Sequence, residues 1–473
     1  QEREASIRRQ IDELAAEVGG RVPEDPELMT EVTHLVEAPT AVRGEFDRHY
    51  LDLPREVLIS VMKKHQRYFP VVDEEGMLPY FLTVANKPRV PEPQQAYRTV
   101  IQGNADVILA RFADAEYFVK ADQARALEDY LPDLELLTFQ TDLGSMRAKT
   151  DRIQALVDTI AGQIELSEQD LAAARRAAAL CKADLVTQMV VEMTSLQGVM
   201  GYYYALESGE TREVARAIRE HYLPASADDP APESKPGLVI GIADRLDTLA
   251  GLFAAGLAPT GSKDPFAQRR AALGLVSNLI SWKMDFDLAQ AVQSAADQLP
   301  IPASAQSRAE CLDFIQDRLE YYLRDRGYAY DVVAAVVAAQ GQNPAGAARG
   351  VNDLGVWVDR EDWEHVLDNY ARCVRITRDL EQVYDFDPGL MEEPEEIALH
   401  EMLEKAEAED RPQGDVDAFL EAFLPLIPAV EDFFDHVMVM VEQKALRENR
   451  LALLQRVTAL SQGAADLSHL EGF

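Results

Sequence analysis

Ile242-Ala243-Asp244-Arg245-Leu246-Asp247-Thr248-Leu249 sets two carboxylates three residues apart in an apolar frame. At helical pitch such residues share one face, so Asp244 and Asp247 project together. The frame extends over Leu238–Phe253, and the Pro-, Ala-, Asp- and Ser-rich stretch Pro224–Gly237 before it reads as a surface loop. Upstream, Asp151–Ile164 and Leu171–Leu180 continue into Cys181–Met200 with helical spacing throughout. Downstream, Ser262-Lys263-Asp264-Pro265 starts another helix, with Asp264 as cap and Pro265 at the first helical position. Leu312, Ile315, Leu319 and Tyr322 form a further helical stripe. Nearly everything after residue 100 is therefore helical. Gln340–Gly355, with four Gly and one Pro, reads as the clearest linker, and Asp385–Glu396 as an acidic second one.

The first hundred residues read differently. Leu58-Ile59-Ser60-Val61-Met62 is largely apolar and partly β-branched, a strand signal. Tyr68–Val72 and Tyr80–Ala85 flank the turn-like Asp73-Glu74-Glu75-Gly76 and predict a hairpin. Asn104 is placed to cap a helix whose apolar positions Ile108, Phe112, Ala115 and Val119 face that sheet. The expected architecture is mainly α and multidomain. Its parts are an α+β region over 1–148, an all-α domain over 149–300, a helical connector over 301–372 and a C-terminal helical domain over 373–473.

Composition narrows the function. The 473 residues carry 82 Asp+Glu against 46 Lys+Arg, a net charge of −36 that opposes general adhesion to anionic membranes or to nucleic acid, although local basic patches can still act; no DNA partner is expected. Three distant cysteines, Cys181, Cys311 and Cys373, make no disulfide framework and fit a reducing compartment, so the expected location is cytoplasmic. The longest uncharged stretches are broken by Gly, Pro, Gln or Asn and are too short to span a bilayer. The sequence opens Gln1-Glu2-Arg3-Glu4 without an initiator Met and is expected to be a segment of a longer chain.

The Asp244 helix resembles the closing helix of HD-domain phosphohydrolases, whose last Asp completes a metal site built from His, His-Asp and Asp. Such a site needs imidazoles on a transition metal and a carboxylate to orient water. Here Cys181-Lys182-Ala183-Asp184 puts Ala183 where the second His belongs, and no His lies between His65 and His221. The expectation is an HD-like helical domain with a degenerate centre at Asp184 and Asp244, and no metal. Gly198-Val199-Met200-Gly201 lacks the Lys-Ser/Thr of a phosphate loop and reads as close helix packing. Ser262-Lys263 faintly resembles the signature loop of class I tRNA synthetases, but no His-Ile-Gly-His partner is present. No catalytic residue is assigned.

Cations cluster despite the acidic balance, as phosphate contacts require. Lys63, Lys64 and Arg67 precede Tyr68 and Phe69 at a predicted strand edge; Lys263 is joined by Arg269 and Arg270; Lys444, Arg447, Asn449 and Arg450 lie on a terminal helix. Leu446, Leu453, Val457 and Leu460 form that helix's inward stripe.

These blocks also carry a resemblance to the beta subunit of bacterial heterotetrameric glycyl-tRNA synthetase. It runs through Lys63–Pro70 (KKHQRYFP), Gly103–Phe118 (GNADVILARFADAEYF), Lys149–Leu156 (KTDRIQAL), Lys182–Gly201, Ile242–Gly251 and Ser262–Gly274. Phe433–Leu454 resembles the helical anticodon-binding module of arginyl-tRNA synthetases. The resemblance implies two partners, a class II catalytic alpha subunit and tRNA(Gly). ATP and Mg would act at the alpha subunit, with no cofactor bound by this chain. It also implies that family chains extend further at the N-terminus. In that picture Lys444, Arg447 and Arg450 contact phosphates and Asn449 reads a base, while the Lys63–Phe69 island and the HD-like region hold the acceptor side. The Lys263, Arg269 and Arg270 island is a further RNA-contact candidate. The alternatives are an HD-type metal-dependent phosphohydrolase and a scaffold subunit that binds no RNA.

Overall fold

Gly44 faces Phe81 across an antiparallel strand pair, and a side chain there would place its Cβ 2.1 Å from Phe81 Cζ. That close approach lies in the sheet of the N-terminal region. The computed structural model describes residues 1–226 and 229–473, the side chain of His65 excepted. Residues 227 and 228 of the expected Pro224–Gly237 loop lie outside the described residues. Strand β1 (Pro39–Glu45) pairs antiparallel with β3 (Met77–Asn86), which also pairs antiparallel with β2 (Phe69–Val72), giving the order β1-β3-β2. β2 and β3 are the hairpin predicted from the sequence, with Phe69 opposite Leu82 and Val72 opposite Met77.

The chain divides into two units: residues 1–154, 172–222 and 234–240 form one, and 155–171, 223–233 and 241–473 the other. In the first, Ile7, Ile11, Leu28, Met29, Phe69, Val71 and Leu82 form a buried cluster between the sheet and the helices Glu2–Ala16 and Pro26–Leu35. The Arg98–Asp122 helix buries Ile108, Phe112, Ala115 and Val119 as the spacing predicted and packs against β1. It begins six residues before Asn104, whose side chain instead accepts a hydrogen bond from the Tyr68 hydroxyl at 2.7 Å.

Two further readings change in this unit. Leu58–Met62 belongs to the helix Arg55–Gln66, not to a strand. Val57, Leu58, Val61 and Met62 are buried at one-, three- and four-residue steps, and this helical face outweighs β propensity. Cys181–Met200 is broken rather than continuously helical: Ala183–Val186 and Thr194–Leu196 are single 3₁₀ turns on either side of the short helix Gln188–Glu192. The chain kinks there so that backbone amides can meet buried carboxylates. Asp122 accepts from the Gln188 and Met189 amides at 2.8 and 3.0 Å.

The second unit is helical through the described residues after 267. The expected start at Asp264-Pro265 is corrected: the helix runs Gln268–Ser281 with Ala267 at its N-cap, so Pro265 lies before it, and Asp264 instead reaches forward to accept from the Gln268 and Arg269 amides at 2.8 and 2.9 Å. In the Ala305–Asp325 helix the buried row is Cys311, Ile315, Leu319 and Tyr322, with Leu312 half-buried beside it. The expected linker Gln340–Gly355 is largely the helix Pro344–Val358. Asn343 caps its start by accepting from the Gly346 amide, and Pro344 occupies the first turn. Two of its glycines serve close packing, since a Cβ would lie 2.6 Å from Asn343 Nδ2 at Gly346 and 2.7 Å from Gln340 Nε2 at Gly350, whereas Gly355 has nothing within 4 Å. The terminal helix Lys444–Ala459 buries Leu446, Leu453 and Val457, with Leu460 just beyond, and packs on the helix Trp363–Thr377.

Candidate nucleic-acid interface

Asp184 is fully buried, and its Oδ2 accepts the backbone N–H groups of Gly198 and Gly201 at 2.6 and 3.0 Å. Gly198 has φ 76° and precedes the helix Val199–Glu207, so the carboxylate sits at that helix's N-terminus. Burial pushes its carboxyl up to about 6, against the lowering by the two amides and by Lys182. Lys182 is itself buried, with Nζ 2.9 Å from His221 Nε2 and 4.1 Å from the Tyr222 ring centroid. His221 Nδ1 lies 2.6 Å from the Ile218 carbonyl, which can only accept. Nδ1 therefore carries the proton, and Nε2 accepts from the ammonium.

Sequence reasoning missed this Lys182–His221 contact because its members are 39 residues apart and no local pattern joins them. Its effect is chemical. The nearest imidazole to Asp184 in sequence faces an ammonium, a poor arrangement for a metal ligand. Among the described residues no group of three His, Cys, Asp or Glu side chains is placed to hold a metal ion.

In the second unit, Asp247 is fully buried and Asp244 half-buried. Between them Arg245 points its guanidinium at backbone carbonyls: Nη1 donates to Gly241 O at 3.0 Å, and Nη2 to Leu223 O and Pro224 O at 2.9 and 3.2 Å. Burial lowers its pKa to about 10, although the Asp244 charge opposes that. A Cβ on Gly274 would lie 2.8 Å from Arg245 Nε, so the helix Gln268–Ser281 is shaped around this side chain. Arg245, set between the two carboxylates in sequence, thus anchors the chain at Leu223 and Pro224.

The cationic islands divide by exposure. Lys64 and Arg67 are exposed, with Arg67 paired to Glu31 at 2.7 Å, while Lys63 forms an ion pair with Asp25. The island caps the helix Arg55–Gln66, with Arg67 at φ 53°, and Tyr68 turns inward, 3% exposed and stacked on Phe81 at 4.8 Å. Burial pushes the Tyr68 hydroxyl up to about 12. A cavity of about 550 Å³ opens beside Lys63 and Lys64, but Asp25, Glu27, Glu31 and Glu56 line it too. Lys263 and Arg270 are exposed; Arg269 is half-buried and donates to Gly261 O at 2.6 Å.

On the terminal helix Lys444 is exposed and Arg447 half-buried, donating to Val441 O at 3.2 Å. Asn449 and Arg450 face inward, which corrects their expected roles toward RNA. Arg450 makes hydrogen bonds of 2.8 and 3.2 Å to Glu396, with side chains 4% and 1% exposed, and a third to Met438 O. Asn449 accepts from the Asp387 amide at 2.7 Å. A charge island chosen by spacing therefore keeps two of its four members, Lys444 and Arg447, outside the core.

The family model of the glycyl-tRNA synthetase beta subunit matches residues 1–338. A relative from Moorella thermoacetica, the "Glycine--tRNA ligase beta subunit", is 40% identical over 98% of this chain and 67% of its own length. A relative of the same name from Chromohalobacter salexigens is 40% identical over 94% of the chain and 65% of its own length. The "Glycine--tRNA ligase, chloroplastic/mitochondrial 2" of Arabidopsis thaliana is 35% identical over 100% of the chain and 44% of its own length. The chain thus spans about two thirds of its bacterial relatives, and it belongs to the glycyl-tRNA synthetase beta subunit family.

Proposed function

We propose that this chain is the tRNA-recruiting portion of a glycine–tRNA ligase beta subunit, working with an alpha subunit that carries out ATP- and Mg-dependent attachment of glycine to tRNA(Gly). The observation that carries the reading is the 40% identity sustained over 98% of the chain with a protein of that name. Composition supports a role in positioning: cations that escape the core, Lys64, Lys263, Arg270, Lys444 and Arg447, stand in an acidic molecule that otherwise repels nucleic acid. The terminal helix takes the anticodon arm through Lys444 and Arg447, and the other islands take the rest of the tRNA. The gain to catalysis is orientation of the acceptor end. In this reading the chain binds no cofactor of its own and acts in the cytoplasm. Separately, no helix among the described residues is long and apolar enough to cross a membrane.

An HD-type phosphohydrolase has less support, because Asp184 engages two amides and Lys182 engages His221. Direct binding of the chain to tRNA(Gly), and to the same tRNA with its anticodon replaced, over a salt series tests the proposal. Salt-sensitive binding weakened by anticodon replacement is expected. Binding indifferent to the anticodon moves recognition off the terminal helix, and no binding at low salt leaves a scaffold role.

A further inference from the structure

Near the end of the helix Ala305–Asp325 arginines lie on aromatic rings instead of on carboxylates. Arg318 is 5.6 Å from the Phe314 ring centroid and 6.0 Å from that of Tyr321, and Arg324 is 5.0 Å from that of Tyr330. Among the described residues neither Arg318 nor Arg324 makes an ion pair. Several other guanidinium groups of this acidic chain do find carboxylates: Arg43 pairs with Glu17, Arg176 with Glu128 and Glu210, Arg360 with Asp362. Carboxylates are near here too, since Asp317, Glu320 and Asp325 line the same hollow of about 550 Å³. The arginines nonetheless lie within about 6 Å of ring centroids and form no ion pair of 4 Å or less among the described residues, although the Arg324 charge still acts on Glu320.

Two observations point to a ligand. Arg318 is half-buried with its Nε closed off from solvent, and among the described residues none of its nitrogens has a hydrogen-bond partner, which leaves its outer nitrogens as donors for a ligand. Tyr321 and Tyr330 are 54% and 64% exposed, large flat rings left in water at the rim. The three carboxylates disfavour phosphate in the hollow, so charge alone does not define the occupant. A nucleobase meets every condition. It offers a π-face to tyrosine and guanidinium, carries ring nitrogen or carbonyl acceptors for an arginine donor, and is itself uncharged.

We propose that this hollow takes unpaired nucleobases of bound RNA, stacked on Tyr321 and Tyr330 with Arg318 donating to a base edge. The inference rests on the tRNA-recruiting reading and adds a stacking site in the helical connector, where no cationic island was assigned. Its signature differs from that of phosphate contacts: loss of a base stack weakens binding by the same factor at every salt concentration, whereas loss of a phosphate contact changes the slope.

The test uses the 473-residue chain, a tRNA(Gly) transcript and a single-stranded oligo(A) octamer, with affinities measured at about 50 and about 200 mM salt. The Tyr321→Ala/Tyr330→Ala variant is expected to bind both RNAs about tenfold or more weaker, by the same factor at both salts. The Tyr321→Phe/Tyr330→Phe variant, which keeps the rings, is expected to bind as wild type does. Unchanged affinity of the Ala variant overturns the proposal, as does a Phe variant that fails equally. Unchanged RNA binding with weakened association with the alpha subunit places the patch at a protein interface and also overturns it. Wild-type chain that binds neither RNA overturns the tRNA-recruiting reading itself, an outcome distinct from wild-type binding that the Ala variant leaves intact.

Discussion

Two regions each bury a carboxylate completely, and they hold it by opposite means. In the first unit Asp184 is gripped by the amides of Gly198 and Gly201, and burial raises its carboxyl to about 6. In the second unit burial also raises Glu396, but the Arg450 guanidinium and the amides of Glu392 and Glu393 outweigh it and hold the carboxyl below its ordinary range. Amide dipoles satisfy hydrogen bonds without cancelling charge; a guanidinium does both. From the sequence Asp184 reads as a member of a degenerate metal centre and Arg450 as an RNA contact, while Glu396 only ends an expected acidic linker. Burial makes both sites structural, and the partner decides which pH and which substitution expose the dependence.

The largest expected effect is Arg450→Ala. It strands Glu396 in the core without its cation, and the cost is about 3–5 kcal/mol, read as a drop in the denaturant midpoint of the C-terminal helices. The Arg450→Met/Glu396→Leu pair removes both charges and is expected to recover most of that loss. A single-variant cost below about 1 kcal/mol would mean that the ion pair does not hold this region, and the contrast with Asp184 would fail.

At Asp184 the informative variable is pH. A carboxyl raised to about 6 binds more protons in the folded chain than in the unfolded chain between about pH 4 and 6, so its contribution to stability falls as pH rises through that window. Asp184→Asn removes the titration and keeps an acceptor for the two amides. Relative to wild type, the variant is expected to gain about 2–3 kcal/mol between pH 4 and pH 7, measured by urea unfolding at each pH. A difference independent of pH would show that the carboxyl does not titrate there.

The same contrast explains what the sequence disclosed. The Arg98–Asp122 stripe, the β2–β3 hairpin and the terminal helix were legible because their signals, periodicity and turn chemistry, are local. Gln340–Gly355 was not, because glycine counts as a breaker in any local window. Here Gly350 admits Gln340, whose Nε2 reaches the carbonyls of Gly414 at 3.1 Å and Ala464 at 2.8 Å, 74 and 124 residues away. The cationic islands were legible as clusters but not as surfaces. Arg450 is drawn inward by Glu396, 54 residues distant, and Tyr68 is closed off by Phe81 and Asn104, partners that no local window shows.

Two glycines sharpen the comparison at intermediate size. A Cβ on Gly201 would lie 2.7 Å from Ile218 Cγ2 and 3.1 Å from Asp184 Oδ2, so Gly201→Ala presses on the buried cluster and is expected to cost about 1–3 kcal/mol. Gly103 lies in the Arg98–Asp122 helix with nothing within 4 Å, so Gly103→Ala is expected to stabilise by about 0.5–1 kcal/mol through helix propensity. Thermal midpoints that move in opposite directions confirm the distinction. Equal losses at both would mean that helix propensity does not govern the exposed face.

The smallest effect is expected where an island residue is exposed. Arg67 ends the helix Arg55–Gln66 in the left-handed region at φ 53°, a conformation that favours glycine, and its ion pair with Glu31 is open to solvent. Arg67→Gly relieves the backbone by several tenths of a kcal/mol and gives up an exposed pair of comparable size, so the two terms nearly cancel. Stability should stay within about 1 kcal/mol of wild type. That near-neutrality makes the variant useful, because any change in the salt slope of tRNA binding then reports the lost cation and not a damaged fold. A slope lowered by about one places Arg67 on a phosphate, whereas an unchanged slope leaves Lys64 as the exposed cation of that island.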